Sequence, residues 1–467
     1  MIGITSLSVY LPSLRLKNET IAQAWGRPAS RGQKAVANHD EDSLTMAIQA
    51  SLNCPETVKK SDGLFFASTT SPYGEKSASS FMATVLDCPQ GTRSADFSGS
   101  LRAGTAALLA AWDGLKAGSL NQALVAAADC RLAAPGSLSE SMVGDGACAL
   151  VLGKNQPAAE LVASYSIHSS YADSWRKSGD LYFDIDDPRF SQIAGYSQNV
   201  TAALKGLLQQ TDLKPEAIAK LVTVAPDLRS QSGVAGKLGF RPEQLQDPLA
   251  TSVGGLGCAH PFLALAAALA DAKAGELLLF SAYGDGADAL LLKVNDGVEK
   301  LKQALKLELA VAGTREMKSY AKYLSFRSLI KGEEPKKTIF TSTSMQLREQ
   351  DQTLKLYGRK CPDCGHIYHI PVRVCPSCRS KDKFERVKLA RRGKIFTFTE
   401  EYYYPGPETP IPMAVVDLDS GGRMIMQMTD TEAGEAKVGL EVELVFRRLH
   451  QAGGFHNYYW KCRPLRG

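Results

Sequence analysis

Gly144-Asp-Gly-Ala-Cys-Ala-Leu-Val-Leu-Gly153 and Gly284-Asp-Gly-Ala-Asp-Ala-Leu-Leu-Leu-Lys293 are two versions of one decapeptide, identical at seven of ten positions. Each follows an apolar run of β-forming residues, at 123–128 and 277–282, and each run follows an Ala/Leu-rich helical stretch that ends in Lys-Ala-Gly. A turn between two strands of small residues is enough to explain a single match. Helix, strand and hairpin in the same order twice indicate an internal duplication, with two halves related by a pseudo-twofold axis.

A chain of 467 residues is too long for one core, since a single core rarely exceeds about 250 to 300 residues. Its composition divides it into four segments. Residues 1–294 alternate β-rich runs with helical stretches, which predicts an α/β domain. Residues 295–346 are rich in Lys and Arg and predict a solvated helical connector, with a phosphate-binding surface as the alternative. Residues 347–390 contain two Cys-x-x-Cys pairs, and the β-formers and Gly/Pro turns of 391–467 predict a small all-β barrel.

The composition is that of a soluble globular protein, with 44% hydrophobic and 22% charged residues. A net charge of +5 suits a small anionic ligand and is too low to indicate nucleic-acid binding. Because no apolar run reaches the ~20 residues of a membrane span and the N-terminus lacks a cationic start, we expect a cytoplasmic protein that does not enter a membrane. Six of the ten cysteines are scattered singly through apolar sequence, which is typical of buried thiols rather than disulfides.

The other four cysteines predict a metal site. Cys361-Pro-Asp-Cys364 and Cys375-Pro-Ser-Cys378 each place two thiolates on a tight turn, and ten residues separate the pairs. Four soft ligands close a tetrahedron around Zn²⁺, so the predicted site is structural, with Cys361, Cys364, Cys375 and Cys378 as ligands. His366 and His369 are alternative ligands, and a redox-active dithiol is the alternative chemistry.

Several motifs are shared with known families. The first domain contains His39-Asp-Glu-Asp-Ser-Leu-Thr-Met-Ala47, Ser68-Thr-Thr-Ser-Pro-Tyr73, Ala103-Gly-Thr-Ala-Ala107, Asp173-Ser-Trp-Arg176 and Arg189-Phe190. The C-terminal part contains Leu356-Tyr-Gly-Arg-Lys-Cys361, Gly393-Lys-Ile-Phe-Thr-Phe-Thr399 and Tyr459-Trp-Lys461. The first set resembles 3-hydroxy-3-methylglutaryl-CoA synthase of the thiolase superfamily, and the second is similar to the zinc-ribbon and OB-fold proteins that accompany thiolases. The resemblance implies a duplicated αβαβα domain, a zinc ribbon, an OB-fold barrel and a CoA thioester as substrate.

The same resemblance implies three catalytic groups: a cysteine that accepts the acyl group, an acid/base carboxylate and an orienting histidine. The cysteine position falls on Leu101, the glutamate position on Thr69 and the histidine position on Val224. None of these side chains can perform the missing step. Ser100 is a poor substitute, because a serine without a paired base is a weak nucleophile. We therefore expect no condensation through an acyl-cysteine in this domain.

Three residues of the second half remain candidates for catalysis. Projected across the repeat, Cys258 lies opposite Leu101, which makes it a potential nucleophile or else a packed small residue. His260 is a candidate oxyanion-hole donor, or a helix N-terminal residue fixed by Pro261. Tyr283 stands where the thiolase resemblance implies a second catalytic cysteine, and is a candidate general acid or base or else a core tyrosine.

Two functions fit these observations. In the first, the chain is a subunit of an enzyme that makes or breaks a carbon–carbon bond beside a CoA thioester, and a separate thiolase chain supplies the cysteine. In the second, it is an aldolase-type enzyme without a covalent acyl intermediate, using His260 and Tyr283. The thiolase resemblance also implies self-association through a broad domain face.

Overall fold

The computed structural model describes residues 1–54, 56–330, 342–402, 408–452 and 454–465. Part of the predicted connector, residues 331–341, therefore lies outside the described residues. The chain divides into two compact units, one of Met1–Ala37 with Asp42–Tyr323 and the other of Asn38–Glu41 with Leu324–Gly467. Within the described ranges, no helix is long and apolar enough to cross a membrane.

The described strands of the first unit, in chain order, are β1 (Gly3–Tyr10), β2 (Leu14–Lys17), β3 (Gln33–Val36), β4 (Gly63–Ala67), β5 (Arg93–Phe97), β6 (Ala123–Asp129), β7 (Gly146–Gly153), β8 (Ala159–His168), β9 (Ser174–Trp175), β10 (Asp184–Ile185), β11 (Lys220–Thr223), β12 (Leu277–Tyr283), β13 (Gly286–Val294) and β14 (Arg315–Glu316). Nine of them form one sheet in the order β11-β12-β13-β8-β1-β7-β6-β4-β5. On one side β4 runs parallel to β6 and β6 antiparallel to β7; on the other β11 runs parallel to β12 and β12 antiparallel to β13. The two halves meet where β1 pairs with β8.

The helices that begin in the first unit are α1 (Asn18–Ala24), α2 (Ser43–Asn53), α3 (Ala78–Val85), α4 (Ala103–Lys116), α5 (Pro188–Phe190), α6 (Gln198–Thr211), α7 (Leu228–Leu238), α8 (Ala250–Val253), α9 (His260–Asp271), α10 (Val298–Ala304), α11 (Leu307–Ala312) and α12 (Tyr320–Phe326). Small Ala side chains in both helices, together with the glycines of α4, let α4 and α9 pack in the centre, between the two halves of the sheet. Helix α2 covers the outer face of β1, β6 and β7, and α6 covers β8, β12 and β13. The result is the expected αβαβα layering.

The predicted duplication is confirmed by the order of the elements. The first decapeptide turns into β7 and pairs with β6, which follows α4; the second turns into β13 and pairs with β12, which follows α9. The Lys-Ala-Gly ends share a backbone feature too. Gly118 and Gly275 have φ of 73° and 91°, the left-handed conformation that glycine adopts most readily where a helical stretch ends.

The second unit continues with α13 (Thr343–Arg348), α14 (Gln350–Thr353), β15 (Tyr357–Lys360), β16 (Ile367–Tyr368), β17 (Glu385–Lys388), β18 (Arg392–Glu401), β19 (Ile411–Leu418), β20 (Arg423–Gln427), β21 (Glu441–Ala452) and β22 (Phe455–Pro464). Strands β16-β15-β17 form a small sheet around the cysteine pairs, and β20-β19-β18-β21-β22 form a larger one. A bridge between Met428 and Cys462 joins the two ends of the larger sheet, as in a closed barrel. The expected zinc ribbon and OB-fold barrel are thus both present.

We predict that the close approach of α4 to the second half tolerates no side chain at Gly104. A Cβ there would lie 2.7 Å from the carbonyl oxygen of Cys258 and 3.0 Å from the Phe262 ring. Gly104→Ala should lower the free energy of unfolding by about 1–3 kcal/mol, because close-packed backbone cannot move aside cheaply. Gly233→Ala is the matched control: it lies in α7 with nothing within 4 Å and should stabilise by about 0.5–1 kcal/mol. Equal urea midpoints for the two variants would contradict the prediction.

Candidate functional site

The start of α4 is the centre of the candidate site, because the family resemblance implies an acyl-accepting cysteine at the position of Leu101. Leu101 is half-buried and lies in a turn, two residues before α4 begins at Ala103. Gly284, at the turn of the second hairpin, lies directly against this start: a Cβ on it would be 2.8 Å from Ser100 Oγ and 3.0 Å from the Leu101 amide nitrogen. Only a glycine allows this approach, so the hairpin of the second half packs against the first half at Ser100 and Leu101.

Cys258 contacts the same helix start from the second half. Its thiol donates a hydrogen bond to the Ser100 carbonyl at 3.5 Å, and its amide donates to Asp129 Oδ2 at 2.8 Å. Burial, foremost, and the negative charge of Asp129 hold the pKa of the Cys258 thiol well above its usual value. A thiol in this setting stays protonated near neutral pH and is a weak nucleophile.

Asp129 joins three segments at the end of β6. It is fully buried and accepts hydrogen bonds from the Thr69 amide at 2.7 Å, from Thr70 Oγ1 at 3.0 Å and from Ser68 Oγ at 3.1 Å, besides the one from Cys258. Four donors satisfy the carboxylate, so its charge is tolerated inside the fold. Sequence reasoning missed this residue, although an aspartate that directly ends the apolar run 123–128 is a visible signal.

His260 lies at the first position of α9 and is buried. Its Nδ1 accepts a hydrogen bond from the Leu256 amide at 3.0 Å, and its Nε2 therefore carries the proton that it donates to the Pro248 carbonyl at 2.8 Å. Burial lowers the pKa of His260 to about 4, so the ring is neutral. Both nitrogens are engaged by backbone groups, an arrangement that holds the loop before α9.

Tyr283 ends β12, next to Gly284. Its hydroxyl donates a hydrogen bond to Asp173 Oδ2 at 2.6 Å. Gly195, in a π-helix over Ser191–Ser197, lies against the hydroxyl, since a Cβ there would come within 2.4 Å of it. Burial and then the Asp173 carboxylate raise the pKa of Tyr283 far above its usual value, so the phenol keeps its proton. Asp173 belongs to a stretch that the family resemblance picked out, but its partner could not be read from the sequence.

Two arginines add positive charge to the same region. Arg176 donates a hydrogen bond to the carbonyl of Thr69, and Arg131, two residues after Asp129, donates to Ser174 Oγ at 3.2 Å. Thr69 thus lies between Asp129 and Arg176, and its hydroxyl is buried with no hydrogen-bond partner among the described residues. The structure therefore brings the positions of the expected cysteine and glutamate, with Cys258, into one cluster. Val224, at the histidine position, follows β11 at the edge of the core.

The four cysteines of the second unit form a candidate metal centre. Their sulfurs lie within 4.8 Å of one another, with 3.6 Å between Cys361 and Cys378 and between Cys364 and Cys375. A tetrahedron with Zn–S bonds of about 2.3 Å has edges of roughly 3.8 Å, so the set fits zinc. The two turns have the same geometry: the amides of Gly365 and Arg379 donate to the carbonyls of Cys361 and Cys375. Neither His366 nor His369 belongs to this metal-binding group in the described part of the chain.

Comparisons with known proteins agree with this architecture. A family model described as "ChsH2, rubredoxin-like zinc ribbon domain" matches residues 348–385, and one described as "ChsH2, C-terminal OB-fold domain" matches 386–447. Among solved structures, "MvaS in complex with 3-hydroxy-3-methylglutaryl coenzyme A" superposes with a TM-score of 0.62 at 20% identity, over 72% of this chain and 94% of that one. A 3-oxoacyl-[acyl-carrier-protein] synthase III from Aquifex aeolicus VF5 superposes with a TM-score of 0.57 at 20% identity, over 63% of this chain and all of that one. The first unit thus has the thiolase-type fold.

Relatives with at least 30% sequence identity show to which family the chain belongs. The hydroxymethylglutaryl-CoA synthase of Caldivirga maquilingensis is 31% identical over 345 residues, covering 71% of this chain and 98% of that protein. The Methanocaldococcus jannaschii enzyme of the same name is 30% identical over 345 residues, covering 71% of this chain and the whole of that protein. The chain belongs to the hydroxymethylglutaryl-CoA synthase family, and it carries a zinc ribbon and an OB-fold barrel in addition.

We predict about one Zn²⁺ per chain, because a Cys₄ site is closed and its metal binding is coupled to folding. Cys375→Ser should abolish stoichiometric zinc, measured by elemental analysis of purified protein, and should lower the thermal stability of the second unit. Cys88→Ser, the same substitution at a thiol outside the metal group, should leave the zinc content unchanged. Full zinc in the Cys375 variant would show that the ligands are misassigned.

Proposed function

We propose that this chain handles an acyl-CoA thioester during the making or breaking of an adjacent carbon–carbon bond, and that it does so without becoming acylated. The observation that carries the proposal is the residue at the start of α4. Leu101 has no nucleophile, and the thiol that contacts this helix start, Cys258, is buried beside the carboxylate of Asp129. Both features oppose transfer of an acyl group to the protein.

A CoA thioester is the substrate class that the relatives support. One superposed structure is described as bound to 3-hydroxy-3-methylglutaryl coenzyme A, and another, with a TM-score of 0.63 at 18% identity, as an HMG-CoA synthase complexed with CoA. In this chain, Arg131 and Arg176 give the site positive charge that suits such an anionic ligand. These observations support the ligand class and leave the acyl group unspecified.

We further propose that the chain acts as a subunit, with a separate thiolase chain supplying the reactive cysteine, and that it associates with itself. A scaffold that keeps the family fold while Leu101, Thr69 and Val224 replace the expected catalytic groups supports the first part. The edge of the nine-stranded sheet supports the second: β5 pairs with β4 on one side, and in the described part of the chain no strand pairs with its other side. We expect interfaces of obligate size, ~2,000 Å² or more.

We predict that no acyl-enzyme forms on the isolated chain. After incubation with acetyl-CoA or acetoacetyl-CoA, intact mass spectrometry should show the unmodified mass, because neither Leu101 nor the protonated thiol of Cys258 can attack the thioester. An adduct that disappears in Cys258→Ala and persists in Cys88→Ala would contradict the proposal. It would mean that the nucleophile has moved across the pseudo-twofold axis.

A second candidate function is retro-aldol cleavage by the chain itself, favoured by the 2.6 Å hydrogen bond between Tyr283 and Asp173. The hydroxyl of a 3-hydroxyacyl-CoA would give its proton to the Tyr283 oxygen while Tyr283 passes its own proton to Asp173. The electron pair of the O–H bond then forms the new C=O bond, and the pair of the breaking C–C bond forms the thioester enolate. Water protonates the enolate, and the resulting hydroxide takes the relayed proton from Asp173. The hydrogen bond from the Tyr283 hydroxyl to Asp173 Oδ2 gives this proton a direct path to the carboxylate. His260 has no free ring nitrogen to take part.

The two functions are separated by one assay. Cleavage of a 3-hydroxyacyl-CoA by the isolated chain, lowered about 10²- to 10⁴-fold in Tyr283→Phe, is the outcome that retro-aldol chemistry predicts. Tyr196→Phe is the matched control, because Tyr196 packs edge-on against Tyr283 and bonds to Thr223 instead. Product that requires an added thiolase and is insensitive to Tyr283→Phe supports the subunit function. Equal losses of cleavage activity in Tyr283→Phe and Tyr196→Phe would contradict the proposed proton relay.

A further inference from the structure

The second unit contains a short segment from far up the chain. Asn38–Glu41 belongs to this unit, whereas the flanking Ala37 and Asp42 belong to the first. The segment is a closed turn: the Glu41 amide donates to the Asn38 carbonyl at 2.9 Å, and the Asn38 amide donates to Glu41 Oε2 at 2.8 Å. We call it the acidic turn. Its internal hydrogen bonds fix its conformation before any partner is considered.

The carboxylates of the acidic turn are fully buried against cations of the barrel. Lys461 Nζ lies 2.9 Å from Asp40 Oδ2, and Arg447 Nη2 lies 3.0 Å from Glu41 Oε1. Side-chain exposure is 1% for Asp40, 0% for Glu41, 0% for Arg447 and 4% for Lys461. Salt screens such buried ion pairs much less than exposed ones, and water has little access to replace them.

Backbone groups of the turn are recognised as well. The amide of Arg448 donates to the Asp40 carbonyl at 2.9 Å, and its guanidinium donates to the His39 carbonyl at 2.8 Å. Asn38 donates to Asp430 Oδ1 at 3.2 Å, and the His39 ring packs edge-on against Phe326 with 5.3 Å between centroids. Each of the four residues thus makes a specific contact. Combined main-chain and side-chain reading is typical of peptide recognition.

The acidic turn neutralises positive charge that is buried in the barrel. Outside the turn, the Asp430 carboxylate contacts Arg447 at 2.9 Å and Arg463 at 3.5 Å. Without Asp40 and Glu41, Arg447 and Lys461 would keep a buried excess of positive charge. Burial raises the pKa of Asp40, but Lys461 foremost, then His39 and Arg447, lower it to about 2 against repulsion from Asp430, so the carboxylate is ionised at neutral pH. Removing one partner of such a cluster is strongly unfavourable.

We propose that Arg447, Arg448 and Lys461 form an acidic-peptide recognition site in the barrel, which the acidic turn of the same chain occupies. The site reads two adjacent carboxylates on a turn and two backbone carbonyls. It is therefore a binding site with a defined ligand chemistry, and an Asp-Glu turn supplied on a separate peptide fits it when the internal one is disabled. This inference does not depend on the proposed function.

The test uses the full chain with Asp40→Asn and Glu41→Gln, which preserve shape and remove both charges. The probe is a fluorescent peptide of residues 36–44, Val-Ala-Asn-His-Asp-Glu-Asp-Ser-Leu, and its binding is followed by anisotropy. The variant should bind this peptide about tenfold or more tightly than a control peptide with Asn at position 40 and Gln at position 41. Wild-type protein should bind neither peptide, because its own acidic turn fills the site. Adding Lys461→Met to the variant should abolish the difference.

A second measurement covers the case in which the double variant does not fold. Hydrogen exchange is compared in wild type, Asp40→Asn and Asp42→Asn, the last being a matched control because Asp42 caps α2 and Asn caps equally well. Faster exchange at 38–41 and in β21 for Asp40→Asn alone supports the recognition site. Unchanged exchange in Asp40→Asn, or equal binding of the acidic and neutral peptides by a folded double variant, would overturn the proposal.

Discussion

A buried carboxylate, Asp129, holds the centre of the first unit together. A charge inside a fold is tolerated only when hydrogen bonds replace its hydration, and here the donors come from the end of β4 and from the loop before α9. One side chain therefore sets the distance between segments of the two halves. The position of Cys258 and the placement of Thr69 both follow from that distance, as does the protonated state of the thiol.

The same constraint explains why the site is built as it is. A carboxylate beside a buried thiol opposes thiolate formation, so the electrostatics that stabilise the core also suppress nucleophilic sulfur chemistry. The Asp173 carboxylate has the same effect on Tyr283, because burial and this carboxylate raise the pKa of the phenol that donates to it. Two aspartates, one at the end of β6 and one before β9, thus keep a thiol and a phenol protonated in two parts of the site.

The duplicated α/β fold could be predicted from the sequence, because the same local sequence pattern occurs in both halves. Helix, strand and Gly-Asp-Gly hairpin recur in order, and the zinc ligands recur at fixed spacing, so both are visible without knowledge of distant contacts. The candidate site could be predicted only in part from the sequence. Tyr283 finds its partner 110 positions away and Asp40 finds Lys461 421 positions away, and no periodicity encodes such pairs. A histidine in a glycine-rich loop suggests a catalytic residue. The role of His260 depends instead on two backbone groups, which only the folded loop brings to its ring.

The discontinuity of the second unit has a consequence for synthesis on the ribosome. Asp40 emerges 421 residues before Lys461, which at roughly 5–20 residues per second is a delay of roughly 20 to 80 seconds. Within that interval the first unit can complete its own core once Tyr323 has been synthesised, while the acidic turn stays hydrated. The barrel, by contrast, closes only when β22 has been synthesised, so Asp40 lacks its Lys461 partner until then.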